Sequence, residues 1–236
     1  MGSIYLIRHG QASFGADDYD VLSPIGIRQA EVLGKHLSDL EIRFDRCLSG
    51  DLRRQQDTAK HTLLQISANG WVTPSIETDS AFNEFDADAV IRSLLPGLLP
   101  EEPEALAILR NGAQNRAEFQ RLFARIIQRW VSGDYPADGL ESWTSFVERV
   151  AAGLQRILVQ AQSKDNIAVF TSGGTITAML RLITAVPAEK AFELNWQIVN
   201  TSLSRVKFRT TELALASFNS QVHLQLLKAP ELITFR

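Results

Sequence analysis

A guanidinium, an imidazole and a glycine follow one another at Arg8-His9-Gly10, directly after the run Ser3-Ile4-Tyr5-Leu6-Ile7. That run is mostly β-branched, aromatic or aliphatic, too short for a helix and unbroken by turn residues. It suits a strand buried on both faces at the centre of a parallel sheet. In open α/β sheets ligands sit beyond the carboxyl ends of the strands, so Arg8 and His9 fall where a site belongs. Gly10 lets the backbone turn and leaves room for a ligand beside His9. The tripeptide alone reads equally well as a solvated strand end followed by a hydrogen-bonded loop histidine, and the rest of the chain must decide.

Two more loops carry polar residues after apolar strands. Arg46 to Leu48 reads as a short strand, and Ser49-Gly50-Asp51 as the start of a helix whose buried stripe is Leu52, Ala59, Leu63 and Ile66. Arg54 lies off that stripe in the first turn and can point back towards the end of the first strand. Asn166 to Phe170 reads as another buried strand, ending at Thr171-Ser172-Gly173-Gly174-Thr175 before an apolar helix.

These loops need elements to carry them, and the elements alternate. Ser23-Pro24 has the chemistry of a helix start, with Ala30, Leu33, Leu37 and Leu40 as its buried face. His36 lies beside that face and reads as a packing or surface residue; His61 reads as exposed. Thr73 to Glu77 suggests a third strand. Between Asp86 and Gly139 the rhythm breaks: a loop at Leu94-Leu95-Pro96-Gly97-Leu98-Leu99-Pro100 precedes an amphipathic helix bearing Phe119, Leu122, Phe123, Ile126, Ile127 and Trp130. No linker-like composition bounds this stretch, so it reads as a helical cap insertion at about 86–139 within a single domain spanning 1–236. The leucines from Leu94 to Leu99 read either as an apolar patch for a substrate or second subunit, or as the insertion's own core. Glu141-Ser142 opens a long helix, and Ser202 to Phe208 with Leu213 to Phe218 reads as an antiparallel edge hairpin.

Composition narrows the classes. Apolar residues make up 45% and charged residues 22% of the 236, with a formal net charge of −3. This balance gives no global attraction to nucleic acid or anionic membrane, so phosphate recognition would fall to a few focused arginines. The one cysteine, Cys47, excludes an internal disulfide and a cysteine-based metal cluster. No segment is long and apolar enough to span a bilayer, and no basic stretch with an apolar run opens the chain. The expectation is a cytoplasmic enzyme-sized domain with no membrane or nucleic-acid partner; the oligomeric state is open, a homodimer included.

Taken in order, Arg8-His9-Gly10, Ser23-Pro24-Ile25-Gly26 with Gln29-Ala30, and Ser49-Gly50-Asp51-Leu52-Arg53-Arg54 with Thr58-Ala59 resemble the histidine phosphatase superfamily, the phosphoglycerate-mutase-like enzymes. Asn83-Glu84-Phe85, Glu141-Ser142, Gly173-Gly174, and Asn219 with His223-Leu224 continue the likeness through nearly the whole chain. The resemblance implies an α/β fold, a three-layer α-β-α sandwich with a mostly parallel central sheet, an edge hairpin and a helical insertion. It implies that His9 attacks phosphorus to form a phosphohistidine, that Arg8 and Arg54 bind the phosphate, and that Glu84, its pKa raised by partial burial, protonates the leaving alkoxide. It calls for no cofactor and no metal, and for a small phosphorylated substrate.

Two departures stand out. The fourth strand of the family usually ends in Ser-His-Gly-Gly, whose histidine donates to the phosphoryl group; here Ser172 takes its place, with Gly173 beside it. A hydroxyl donates one hydrogen bond and carries no charge, and backbone amides of Gly173, Gly174 and Thr175 stand ready to compensate. Gly15 stands where many members have an asparagine. Acidic Asp86-Ala87-Asp88 after Glu84 disfavours the glycolytic mutase, whose bisphosphorylated cofactor asks for basic residues there. The implied activity is phosphomonoester hydrolysis; the alternative is a weakly active or non-catalytic phosphate-binding pseudoenzyme. A serine-hydrolase elbow at Ser172 with His223 downstream is a third reading, but Phe170 occupies the place of its first glycine and Arg8, His9 and Arg54 go unexplained.

Overall fold

The computed structural model describes residues 1–13, 20–112 and 115–235; Gly15 lies outside them. Strand β1 (Gly2–Arg8) runs between β4 (Asn166–Thr171) and β5 (Leu203–Arg209), and the sheet is completed by β2 (Arg46–Ser49), β3 (Ile76–Thr78) and β6 (Glu212–Ser220) in the order β3-β2-β4-β1-β5-β6. β1 to β4 are parallel, whereas β5 runs antiparallel to β1 and turns back into β6 as the edge hairpin.

Alternation along the strands divides the core between two faces. Ile4, Leu6, Leu48, Ile167 and Val169 face α3 (Ala87–Leu98), α5 (Arg116–Ser132), α6 (Trp143–Gln160) and α7 (Gly173–Thr184). Tyr5, Ile7, Cys47, Ala168 and Phe170 face α1 (Pro24–Asp39) and α2 (Arg53–Ala68). Three layers result. The insertion helices, with α4 (Ala105–Arg110) between α3 and α5, share the first of these cores. Leu94, Leu95 and Leu98 are buried there, which settles the leucine run as packing.

Register brings the chemistry to one edge. Arg8 lies opposite Thr171, Ser49 opposite Phe170, and Thr78 opposite Ser49. The segments leaving β1, β2, β3 and β4 therefore start at the same level of the sheet. Among the described residues, no helix is long and apolar enough to cross a membrane.

Local departures from the sequence reading have local causes. The third strand is Ile76–Thr78 rather than 73–77, because Pro74 has no N–H to give to a ladder. The stretch read as a loop at Leu94–Pro100 is helical to Leu98, with Pro96 inside the last turn, since three buried leucines outweigh one lost backbone bond. Ser49-Gly50-Asp51 does not open α2. That helix begins at Arg53 after Leu52, which has no side chain to cap it, and the carboxylate of Asp20 accepts from the Arg53 amide at 2.8 Å instead. Ser23 and Ser142 do cap α1 and α6, accepting from the amides of Gly26 and Ser145.

Gly10 does not leave open room. A Cβ there would meet the Gly26 carbonyl oxygen at 2.5 Å, so the absent side chain lets the loop after β1 lie directly on the first turn of α1. A similar approach joins α1 to α2, where a Cβ on Gly34 would come within 2.4 Å of the Thr62 carbonyl oxygen. Gly34→Ala must separate the two helices and is expected to destabilise the fold by about 1–3 kcal/mol in urea unfolding. Gly97→Ala, whose Cβ would meet only Arg129 Nη1 at 3.5 Å, is the control. It should be neutral or stabilise by up to about 1 kcal/mol through helix propensity.

Candidate active site

His9 leaves the sheet held at every backbone group. Its amide donates to Thr171 O at 2.8 Å, and its carbonyl accepts from Asn200 Nδ2 at 2.9 Å. The Thr201 amide donates to Arg8 O at 3.0 Å, and the Gly10 amide to Thr58 Oγ1 at 2.9 Å. The ring is buried, and its Nδ1 lies 2.7 Å from Gly10 O. A carbonyl only accepts, so Nδ1 carries the proton and Nε2 the lone pair. Burial holds the imidazole well below its ordinary pKa. The charges of Arg54 and Arg8 push the same way, against the bond to Gly10. The ring is neutral at physiological pH.

The guanidiniums are themselves fixed. Arg8 donates through Nη1 to Ile198 O. The Ile198 turn is tied to β6 through Asn219, whose Oδ1 accepts from the Val199 amide at 2.9 Å. Arg54, also buried, forms an ion pair with Asp20 at 2.6 Å. Asp20 thus orients the cation of the helix that it caps.

Glu84 follows a short turn, Ser80–Phe82, and Asn83. Its Oε2 accepts from the Gly174 amide at 3.1 Å and its Oε1 from the Phe85 amide at 3.2 Å. Burial of the carboxyl raises its pKa. The two amides and the charges of Arg54 and Arg8 oppose this without cancelling it. A Cβ on Gly174 would stand 2.2 Å from Glu84 Oε1, and one on Gly173 3.8 Å from Arg8 Cζ. The Gly174 amide, expected to stand ready for phosphate, is therefore spent on the carboxyl.

Arg8, His9, Arg54, Glu84, Ser172 and Gly173 lie together at this edge. Ser172 is fully buried, and its Oγ accepts from Gln55 Nε2 at 2.8 Å. His223 is not its neighbour: His223 Nε2 pairs with Thr201 Oγ1 at 3.1 Å, and its ring stands 5.8 Å from that of His36. A serine-histidine couple is therefore absent here. Burial also pushes the Cys47 thiol up to about 12, which removes it as a nucleophile. No group of three or more potential metal ligands occurs among the described residues.

Several positioning residues escape a sequence reading. Arg149 on α6 forks onto Glu141 at 2.8 and 2.9 Å, and its Nη1 donates to the carbonyls of Ser80, Ala81 and Asn83 at 3.0–3.2 Å. It clamps the turn that delivers Glu84. Asn83 Oδ1 accepts from the Asp51 amide at 2.6 Å, joining that turn to the loop before Arg54. Phe85 packs on Trp130 of the insertion, ring centroids 4.6 Å apart. Glu141-Ser142 carried half of the clamp's signal; its partner lies two helical turns on among ordinary surface charges.

A family model described as the histidine phosphatase superfamily (branch 1) matches residues 4–221. The chain is 32% identical over 147 residues to the mitochondrial serine/threonine-protein phosphatase Pgam5 of Drosophila yakuba, a match covering 61% of this chain and 45% of that relative. The chain thus spans less than half the length of this relative. It is 28% identical over 204 residues to the 2,3-bisphosphoglycerate-dependent phosphoglycerate mutase of Rhizobium rhizogenes, covering 82% of this chain and 85% of the mutase. Among solved structures, a phosphoserine phosphatase from Entamoeba histolytica in complex with 3-phosphoglyceric acid shares the fold with a TM-score of 0.65. That likeness has 21% identity and covers 95% of this chain and 100% of the other.

The electrostatics can be read without any substrate. The histidines are His9, His36, His61 and His223, few enough to assign by NMR. The His9 ring is expected to titrate well below the ordinary imidazole range. Arg54→Met should raise its pKa, because a repelling cation has gone. An unchanged His9 titration in that variant would contradict the assigned coupling.

Proposed function

The chain belongs to the histidine phosphatase superfamily, which includes phosphatases and mutases, and on that premise we propose that it hydrolyses phosphomonoesters through a phosphohistidine on His9. The observation that carries the proposal is the fixed tautomer: Nδ1–H held by Gly10 O leaves Nε2 as a neutral nucleophile between two cations. Nε2 attacks phosphorus as the bond to the leaving oxygen breaks. Arg8 and Arg54 take up charge on the equatorial oxygens, and Glu84 gives its proton to the departing alkoxide. Water then attacks the phosphohistidine, the Glu84 carboxylate accepts its proton, and inorganic phosphate leaves with Nε2 restored.

Hydrolysis fits better than mutase chemistry because the residues after the acid are anionic. Asp86 caps α3, accepting from the Ala89 amide at 2.8 Å, and Asp88 sits in that helix's first turn. A second phosphate entering there would meet like charge. The names of the similar proteins cover a serine/threonine-protein phosphatase, a phosphoserine phosphatase and a phosphoglycerate mutase, so the substrate is proposed only as a phosphomonoester. One observation favours a second reading, a binding module with little turnover: Ser172 brings no positive charge to the pocket. Stoichiometric phosphate binding without hydrolysis would select it.

Hydrolysis of p-nitrophenyl phosphate should fall about a thousandfold or more in His9→Ala. The rate should rise with pH as His9 loses its proton, well below the ordinary imidazole range. It should fall again as Glu84 ionises, above the ordinary carboxylate range, giving a mildly acid optimum. Glu84→Gln should remove the alkaline limb. A His9→Ala variant with wild-type turnover would exclude the mechanism.

A further inference from the structure

Gln55 stands one residue after Arg54 and is fully buried. Its amide nitrogen donates to Ser172 Oγ at 2.8 Å and to Phe82 O at 3.1 Å, two residues before Glu84. Its Oε1 is buried without a partner among the described residues and lies against Gly50, where a Cβ would be only 2.0 Å away. Burying an amide with half of its hydrogen-bonding capacity unmet costs free energy, and an apolar side chain of the same length would not incur that cost. Phe82 O has a second donor in Thr171 Oγ1 at 2.6 Å, so the bond for which Gln55 is needed is the one to Ser172 Oγ.

Ser172 precedes α7 in the N-cap position, yet its hydroxyl caps nothing. Its oxygen accepts from Gln55, which leaves the one hydroxyl proton to be donated elsewhere. Gly173, the next residue, lies beside the Arg8 guanidinium. We propose that Gln55 is a positioning residue that holds Ser172 Oγ as an acceptor and so turns its proton towards a phosphoryl oxygen. The pair replaces a single histidine. Gln55 Nε2 stands 2.8 Å from Ser172 Oγ, and both side chains are fully buried, so a larger side chain at residue 172 would have to displace Gln55 or another neighbour. Serine and glutamine form one unit, and neither can be exchanged alone. The inference rests on the phosphatase reading of the same pocket.

The test is a double-mutant cycle read by p-nitrophenyl phosphate turnover and by orthovanadate binding. Gln55→Met keeps the volume and removes the donor. Ser172→Ala should lower kcat by about a hundredfold, and Gln55→Met by about tenfold or more with KM little changed. The double variant should be no worse than Ser172→Ala within about twofold, as expected of residues acting as one unit. Gln55→Met at the wild-type rate, or a double variant falling by the product of the two losses, would overturn the proposal. A second pair decides independently should Gln55→Met fail to fold. Ser172→His alone should lose activity, and Gln55→Ala with Ser172→His should recover at least about tenfold over it; no recovery overturns the unit. If the wild type binds vanadate but never turns over, the catalytic reading has failed, and the same cycle in vanadate affinity still judges the Gln55–Ser172 unit. A wild type that neither binds vanadate nor turns over overturns both.

Discussion

A single hydrogen bond, from His9 Nδ1 to the carbonyl of the next residue, fixes which ring nitrogen keeps its lone pair, and the proposed chemistry depends on it. The charges of two arginines act on this imidazole. Burial and those same cations keep it neutral, and the carbonyl decides which nitrogen stays bare. The arginines therefore do two things at once: they concentrate positive charge at this edge of the sheet, and they suppress protonation of the ring beside them. Glu84 is driven the other way by burial, towards its protonated form, so one enclosed site tunes a base and an acid in opposite senses.

The rest of the molecule keeps these groups in register. β1 is central, with β4 and β5 on either side, and the segment 198–202 returns to bond the backbone of Arg8 and His9. Gln29, buried on α1, reaches the Gln11 amide and the carbonyl of Leu232, so the chain's last described stretch is tied to the loop after β1. The acid arrives on a turn braced by Arg149, Asn83 and the Phe85–Trp130 contact. The helices between 86 and 139 thus contribute to the candidate site through packing.

The sequence revealed what depends on local chemistry. Apolar runs ending in polar loops marked β1, β2 and β4, and Ser23 and Ser142 marked their helix starts, because each signal lies within a few residues of its effect. Contacts across the chain were out of reach. Asp20 caps α2 and pairs with Arg54 from 34 residues away, and Gln55 reaches Ser172 from 117 away. Ser49-Gly50-Asp51 reads as a helix start, yet the partner of Asp51 is Asn83. Gly10 suggested space for a ligand, and that space holds the backbone of Gly26. Composition of a segment says little about a neighbour it has not yet met.

The most direct measurement is a rapid quench of the protein with a radiolabelled phosphomonoester, followed by mapping of the label. A phosphohistidine is stable in base and lost in acid, and the account predicts such label on His9, absent from His9→Ala. Turnover with no base-stable label on His9 at any quench time would contradict it.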